Sequence, residues 1–149
     1  MRDVVIAGAY MTRFGKLVDR DLKSLVAEAV AGVLTDAGCH ADEVEIAYFG
    51  NVLGGLMQNQ ESSRGQIWMS ESELAGLPVV NVENACASGS TALHQAWLSV
   101  AGGQADVAVA VGAEKMFYDG TARALEAMTS VVDQDRLDPI TRDLGGAEG

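Results

Sequence analysis

The sequence predicts an α/β fold in which a mostly parallel central sheet is covered by helices on both faces. Short apolar runs that fit buried strands alternate with stretches whose apolar residues recur every three or four positions. The chain of 149 residues is long enough for one such domain with its own core. These observations give the element order βαβαβαβ, and alternation of this kind is typical of parallel sheets.

The first strand is predicted for residues 4–9, a short apolar run that ends in small residues. The first helix begins near Asp21, because apolar residues then repeat at helical spacing: Leu22, Leu25, Val26, Ala29, Val30, Val33, Leu34 and Ala37. Asp19 or Asp21 suits the start of this helix, and Gly38 suits its end.

The second strand is predicted for residues 46–52, and a pair of glycines ends it. A polar loop over residues 58–63 then leads into a second helix that reaches about Leu74. Ser62 or Ser63 is the expected cap of that helix, because a serine side chain can accept from the first free amides.

Pro78 is expected to stop the second helix, and residues 79–83 form the third predicted strand. A third helix is predicted for residues 87–101. Residues 107–111 form an unbroken apolar run, which is typical of a central strand buried on both faces. Beyond this strand the pattern fades, and only a weak helical stretch around residues 122–128 is predicted.

The charge and the cysteine count limit the classes of function. A net charge of −11 disfavours nucleic-acid binding, because the phosphate backbone is itself anionic. No apolar run is long enough to span a bilayer, no secretory signal is seen, and two cysteines are too few for a disulfide scaffold. A reducing cytoplasmic setting is therefore expected. An anionic ligand would need local cations, for which the candidates are Arg13, Lys16, Arg64, Lys115 and Arg123.

The segment from Asn84 to Ala92 holds the candidate nucleophile of the sequence. Cys86 lies between the third predicted strand and the helix that follows, so its thiol is expected at a sharp, exposed turn. The positive end of that helix favours thiolate, the reactive form of cysteine. The backbone N–H of Cys86 could donate to an oxyanion on an attacked carbonyl. Small residues follow and leave space for a bound group: Ala87, Ser88, Gly89 and Ser90.

Other interpretations of these residue types stay open at this point. Cys86 could be a small buried hydrophobe, as most free cysteines are, and Cys39 is expected to be one. Cys39 and His40 are adjacent and lack the usual two-residue gap of a zinc chelate, so no metal site is expected. His94 lies two turns into the helix of Cys86 and is expected to be a packed or surface histidine, not a partner base.

Three segments in the same order carry a resemblance to a known family: Val4 to Gly8 with Thr12 to Lys16, Asn84 to Leu93, and Val111 to Met116. Over residue 3 to about residue 130 the chain resembles thiolases, most closely the branch with the sterol-carrier-protein-type and archaeal enzymes. The resemblance implies that Cys86 takes the acyl group from acyl-CoA. A second acyl-CoA, or CoA in the reverse direction, then accepts the acyl group from the cysteine. The resemblance implies no tightly bound cofactor.

The resemblance also implies an architecture and partners. Thiolases consist of two similar halves packed face to face, with a loop domain inserted in the first half. Residues 1–116 would be the N-terminal half, and residues 117–149 would begin the insertion. Family members usually form dimers through the strand that corresponds to Val79 to Glu83, and some on this branch associate with a small zinc-ribbon/OB-fold protein.

This sequence departs from the family in its length. Family members are well over twice as long, and their second half supplies a catalytic histidine, a second cysteine and an asparagine whose motifs do not occur here. The chain is therefore expected to be an incomplete portion that exposes apolar surface on one face. A ketoacyl synthase, a hydroxymethylglutaryl-CoA synthase-like enzyme and a non-catalytic thiolase-like binding subunit are the alternatives. The opening segment and Gly112 to Met116 favour thiolase over the synthases.

Overall fold

The computed structural model describes residues 1–118 and 120–136, and it has three layers of helix, sheet and helix. The strands are β1 (Ile46–Gly50), β2 (Val79–Val82) and β3 (Ala108–Gly112). The helices are α1 (Leu22–Ala37), α2 (Gly54–Gln58), α3 (Arg64–Trp68), α4 (Ser88–Ala101) and α5 (Ala122–Met128). Short 3-10 turns occupy Ala41–Glu43, Thr129–Val131 and Gln134–Arg136. The rest of the predicted insertion lies outside the described residues.

Helix α1 has the bounds that its apolar pattern predicts. The Asp21 side chain caps its start and accepts a hydrogen bond from the Ser24 amide at 2.8 Å. Gly38 ends it in the left-handed conformation with φ 62°, which glycine adopts without steric strain. The predicted face is buried at Leu22, Val26, Val30 and Leu34.

The sheet is parallel in the order β2-β1-β3, with Phe49 level with Asn81 on one side and with Val111 on the other. One face packs under α1 and α3 through Ala47, Phe49, Val109 and Val111. The opposite face packs under α4, where Tyr48 contacts a cluster with the fully buried Ala92. The prediction of a parallel sheet with helices on both faces is thus confirmed.

The prediction of a first strand over residues 4–9 is wrong for this structure. That segment has no strand or helix, and Val5 and Ile6 are 82% and 76% exposed. Its ends are held at the surface, where Arg2 Nε donates to the Val100 carbonyl at 3.0 Å and the Ala9 amide donates to Asp36 at 2.8 Å. β1 pairs with β2 and β3 on its two edges, and residues 4–9 do not occupy the outer edge of either β2 or β3. A local apolar run carries no information about which edge of a sheet, if any, it will join.

The second predicted helix is much shorter than expected. It ends at Trp68, after which Ser70 and Ser72 donate their hydroxyls to the carbonyls of Ile67 and Met69 at 2.7 and 2.8 Å. Such local bonds compete with the continuation of a helix. The expected serine cap is also wrong, because Ser63 adopts φ 54° and makes no side-chain capping bond.

Helix α2 is absent from the sequence-based prediction and depends on a distant residue. The Glu114 carboxylate, from the loop after β3, accepts from the Val52 amide at 2.9 Å and the Leu53 amide at 3.3 Å. A carboxylate at a helix start satisfies amides that have no partner within the helix. Helix α5 then packs on α2 through a small apolar cluster: Leu53, Met57, Ala124 and Ala127. Over the described part of the chain, the helices are too short or too polar to cross a bilayer.

Candidate active site

Cys86 lies where the sequence predicts it, in the turn between a strand and a helix. Strand β2 ends at Val82 and α4 begins at Ser88, so one residue, Ala87, separates the cysteine from the start of the helix. Its side chain is exposed, and its thiol is free. The alternative of a cysteine packed in hydrocarbon therefore does not hold for this residue.

The turn that carries Cys86 is held by its own polar groups. The buried Ser88 hydroxyl donates to the Ala85 carbonyl at 2.8 Å and accepts from the Asn84 amide at 2.8 Å. The Asn84 side chain donates to the Thr91 hydroxyl at 2.9 Å. Ala85 adopts φ 44°, a left-handed conformation that costs about 1–3 kcal/mol away from glycine. The thiol is thus presented by a rigid and strained turn.

The lack of a side chain at Gly50 lets the start of α4 approach the sheet. A Cβ atom on Gly50 would lie 2.8 Å from the carbonyl carbon of Ser88 and 3.0 Å from the Gly89 amide nitrogen. A Cβ atom on Gly112 would meet the Gly89 Cα at 3.7 Å, an ordinary contact. A side chain at Gly50 would therefore displace the first turn of α4 and, with it, Cys86.

A cleft of about 540 Å³ opens beside Cys86 at the carboxyl ends of the strands. Ligands of open α/β sheets commonly bind in this position. Residues 10–14 of the N-terminal segment form one wall, and the apolar side chains Leu25 and Val26 of α1 form another. Its remaining lining comes from the ends of β1 and β3, from the turn of Cys86, and from Met116, Met128 and Val131.

Asn51 joins the two strand ends at the floor of the cleft. Its side chain is 4% exposed, and its Nδ2 donates to the Ala113 carbonyl at 2.8 Å and to Glu114 at 2.9 Å. Its Oδ1 accepts from the Gly54 amide at 3.1 Å. Every polar atom of this buried amide thus has a partner, as stability in a buried site requires. The network fixes the carboxyl ends of β1 and β3 relative to α2.

Of the five candidate cations, one lines the cleft and four contact other groups of the protein. Among the described residues that line the cleft, Arg13 carries the one positive charge. Lys115 is only 7% exposed, and its ammonium donates to the Leu17 carbonyl at 2.7 Å and to that of Arg20. Arg64 donates to the Val52 carbonyl at 2.9 Å, Arg123 donates to a carbonyl of α2, and Lys16 lies over an aromatic ring.

The N-terminal wall of the cleft is fastened to α1. The Tyr10 hydroxyl donates to Glu28 at 3.1 Å, and Arg20 forms an ion pair with the same carboxylate. The hydrogen bond from Arg20 holds the pKa of Glu28 below its usual value, and Glu28 raises the pKa of Tyr10. At neutral pH Glu28 is therefore a carboxylate and Tyr10 a neutral donor, the states that these contacts need.

The other thiol and the histidines lie away from the cleft. Cys39 is half-buried in the turn after α1, and its thiol contacts the His40 carbonyl at 3.4 Å. Loss of solvation and the nearby Glu43 carboxylate raise the pKa of Cys39. His94 is exposed on α4 and stacks on Trp97 with ring centroids 6.1 Å apart. Within residues 1–118 and 120–136, His, Cys, Asp and Glu side chains form no group that could hold a metal ion.

Comparison with known proteins identifies a matching family and several relatives. A family model described as "Thiolase, N-terminal domain" matches residues 4–143. An acetyl-CoA acetyltransferase of Methanocaldococcus jannaschii is 41% identical over 138 residues, which are 91% of this chain and 34% of the relative. An enzyme of the same name from Methanothermobacter thermautotrophicus is 38% identical over 116 residues, 78% of this chain and 30% of the relative.

A third relative carries a different name. Sterol carrier protein 2 of Bos taurus is 36% identical over 142 residues, 93% of this chain and 24% of the relative. The chain thus spans about a third or less of the length of these relatives. Because the family model covers nearly the whole chain and the parallel sheet is the architecture expected of it, the chain belongs to the thiolase family.

Proposed function

We propose that Cys86 is the nucleophile of a thiolase-type acyl transfer that passes through an acyl-cysteine. The observation that carries the proposal is an exposed thiol beside an open cleft, on a strained turn, in a chain of the thiolase family. A nucleophile on a sharp strand-to-helix turn is accessible to substrate from the side away from the sheet.

The reaction has two balanced steps. The Cys86 thiolate attacks the thioester carbonyl of acyl-CoA, a carbon–sulfur bond to Cys86 forms, and the bond to the CoA sulfur breaks. CoA leaves as a thiolate and takes up the proton that Cys86 has given up. An acceptor then takes the acyl group as the carbon–sulfur bond to Cys86 breaks and the cysteine leaves as a thiolate. The acceptor is either CoA, which gives its thiol proton to the cysteine, or a second acyl-CoA, whose α-proton goes to a base from the rest of the protein and leaves the attacking carbanion.

The turn supplies two electrostatic aids in this proposal. The backbone N–H of Cys86 donates to the oxyanion that forms on the attacked carbonyl. Helix α4 has 14 residues, and its positive end lies next to the thiol, where it favours negative charge. Both groups belong to backbone that the Ser88 contacts hold in place, so neither needs to reorganise during the reaction.

The remaining machinery lies outside this chain in our proposal. The chain corresponds to 34% of the methanogen enzyme that it matches, and a catalytic histidine, a second cysteine and an asparagine would come from the rest of the protein. Residues 1–116 would be the N-terminal half and residues 117–149 the start of the inserted loop domain. A working thiol needs a reducing compartment, so we place the protein in the cytoplasm. A zinc-ribbon/OB-fold partner stays a prediction.

Acylation of the chain tests the proposal directly. The chain is incubated with acetyl-CoA, alone and together with the C-terminal part of the Methanocaldococcus jannaschii relative, and the product is measured by intact mass and peptide mapping. We expect one acetyl group, located on Cys86. Cys86→Ser should lose the thioester, whereas Cys39→Ala should keep it.

Two results would contradict the proposal. One is acetylation that maps to Cys39 or persists in Cys86→Ser. The other is a chain that stays unmodified under both conditions while it binds acetyl-CoA in a titration, which would support a non-catalytic binding subunit.

A further inference from the structure

One buried side chain holds two of the three peptide units that lead into Cys86. The Ser88 hydroxyl accepts from the Asn84 amide and donates to the Ala85 carbonyl, both at 2.8 Å. The Ser88 amide donates to the same carbonyl at 3.1 Å. Ser88 is only 4% exposed, so water has little access to compete for these bonds.

The direction of the Ala85 carbonyl also sets the direction of the Cys86 amide. The carbonyl of Ala85 and the N–H of Cys86 belong to one planar trans peptide unit, in which they point in opposite directions. A bond that fixes the carbonyl on Ser88 therefore aims the N–H away from Ser88. This N–H is the group that stabilises the oxyanion in the function proposed above.

The backbone needs a restraint to keep this orientation. Ala85 adopts φ 44°, a region that residues with a Cβ atom seldom occupy and that persists only where the surroundings hold it. Relaxation of Ala85 would rotate the peptide unit that carries the Cys86 N–H. The Ala85 amide belongs to the neighbouring unit and donates to the Glu83 carboxylate at 2.7 Å. The side-chain bond that holds the unit of Cys86 comes from Ser88.

We propose that Ser88 is a positioning residue for acyl transfer, whose hydroxyl aims the Cys86 N–H at the oxyanion. The inference rests on the function proposed for Cys86 and names the side chain that keeps its oxyanion donor aligned. In this role Ser88 acts through the peptide unit between Ala85 and Cys86. Its loss should therefore slow acylation of the thiol and spare reactions of the thiol that form no oxyanion.

Two chemical probes of Cys86 separate the direction of its N–H from the reactivity of its thiol. With p-nitrophenyl acetate, the thiolate attacks the ester carbonyl, an oxyanion forms, and p-nitrophenolate leaves as the acetyl group stays on sulfur. With iodoacetamide, the thiolate displaces iodide and no oxyanion forms. Both reactions use the same thiolate, so the ratio of the acylation rate to the alkylation rate is independent of its amount. Every protein carries Cys39→Ala, which leaves Cys86 as the one thiol.

We expect Ser88→Ala to lower this ratio by about tenfold or more, because loss of an oxyanion donor slows acyl transfer by at least that factor. The matched control is Ser72→Ala. The Ser72 hydroxyl also donates to the carbonyl three residues earlier at 2.8 Å, and it accepts from the Leu74 amide at 3.3 Å. Ser72 lies in the turn after α3 and does not line the cleft, so its variant should leave the ratio unchanged.

Ser88→Thr distinguishes the hydroxyl from the packing of the site. It keeps the hydroxyl and adds a methyl group at the same buried place, so it should retain the ratio even where stability falls. Circular dichroism and urea denaturation establish that each variant is folded in the assay. If Ser88→Ala does not fold, the decision passes to Ser88→Thr and to the wild-type ratio compared with that of the urea-denatured chain.

A ratio that Ser88→Ala leaves unchanged, or that a folded Ser88→Thr loses, would overturn the inference. So would a wild-type ratio no higher than that of the denatured chain, because no donor would then assist acylation. The proposed function fails separately, if acetyl-CoA does not acylate Cys86 under the two conditions described above. In that case a lower probe ratio in Ser88→Ala still assigns the alignment of the Cys86 N–H to Ser88.

Discussion

At the scale of residues, the turn that carries Cys86 depends on hydrogen bonds within the turn and on the lack of a side chain at Gly50. Cys86 is presented by a turn in which Ala85 holds φ 44° and the buried Ser88 satisfies two backbone groups. Gly50, on the neighbouring strand, leaves room for this turn to approach the sheet. The position of the thiol is therefore set by contacts from two elements that are distant in sequence.

Gly50→Ala should destabilise the fold and disturb the thiol. The added Cβ would lie 2.8 Å from the Ser88 carbonyl group, and backbone atoms cannot rotate away as a side chain can. We expect a loss of about 1–3 kcal/mol in the free energy of unfolding, the range of overpacked cores. Urea denaturation measures this loss, and the alkylation rate of Cys86 reports the displacement of the turn.

Gly89→Ala is the matched control, because a Cβ atom there would meet nothing within 4 Å. The same change inside α4 should raise the free energy of unfolding by up to about 1 kcal/mol through helix propensity. Gly89 lines the same cleft as Cys86, so the added methyl group should slow acyl transfer although the free energy of unfolding rises. Changes of the same sign in the free energy of unfolding for Gly50→Ala and Gly89→Ala would contradict this account.

At the scale of elements, the loop after β3 connects parts of the chain that no local pattern links. Lys115 donates to the Leu17 carbonyl at 2.7 Å and lies 5.0 Å from the centre of the Tyr118 ring. The preceding Glu114 holds the start of α2. Two adjacent charged residues thus connect the loop after β3 to the segment before α1 and to the start of the helix after β1.

Lys115→Met should lower the free energy of unfolding by about 1–3 kcal/mol. The methionine keeps the apolar stem but removes the hydrogen bonds from the ammonium to the carbonyls of the 17–20 loop, and hydrogen bonds to a charged group contribute about that much. Lys115→Arg should not restore stability, because a planar guanidinium does not fit a site built around one ammonium point.

Lys16→Met provides the comparison for Lys115→Met. Lys16 also lies 5.0 Å from an aromatic ring, that of Phe117, but its side chain is exposed. An exposed lysine contributes little, so the free energy of unfolding should change by no more than about 0.5 kcal/mol. Equal losses in the two variants would show that burial of the Lys115 ammonium is not the cause.

At the scale of the whole molecule, two surfaces remain uncovered in the described part of the chain. Strand β2 is an outermost strand, and Val80 is 43% exposed on it. The outer face of α4 exposes Leu93 at 51% and Trp97 at 41%. The resemblance to thiolases implies the first, as the strand of a dimer. The exposure of Leu93 and Trp97 corrects the sequence-based expectation that both lie on the inner face of this helix.

Val80→Lys should convert a dimer into a monomer if two copies associate through β2. A lysine on an outermost strand opposes edge-to-edge pairing, because the charge loses its hydration there and faces its copy across the two-fold axis. Sedimentation velocity of the wild-type chain and the variant measures the change. Leu125→Lys, which places the same charge on the exposed α5, should leave the dimer intact.

Dissociation by a substitution on α4, such as Leu93→Lys, with Val80→Lys still dimeric, would refute pairing through β2. It would instead assign the association to the apolar face of α4.

The sequence by itself determined the α/β class, the bounds and caps of α1, and the place of Cys86 between a strand and a helix. These features depend on neighbours along the chain: an apolar period, an aspartate before a helix, a glycine after it. Tertiary structure decided the rest. Glu114 accepts from the two amides just before α2, and residues 4–9 lie outside the sheet although β2 and β3 each have an outer edge that these residues could have joined. Partners distant in sequence leave no local pattern, so only the folded chain brings them together.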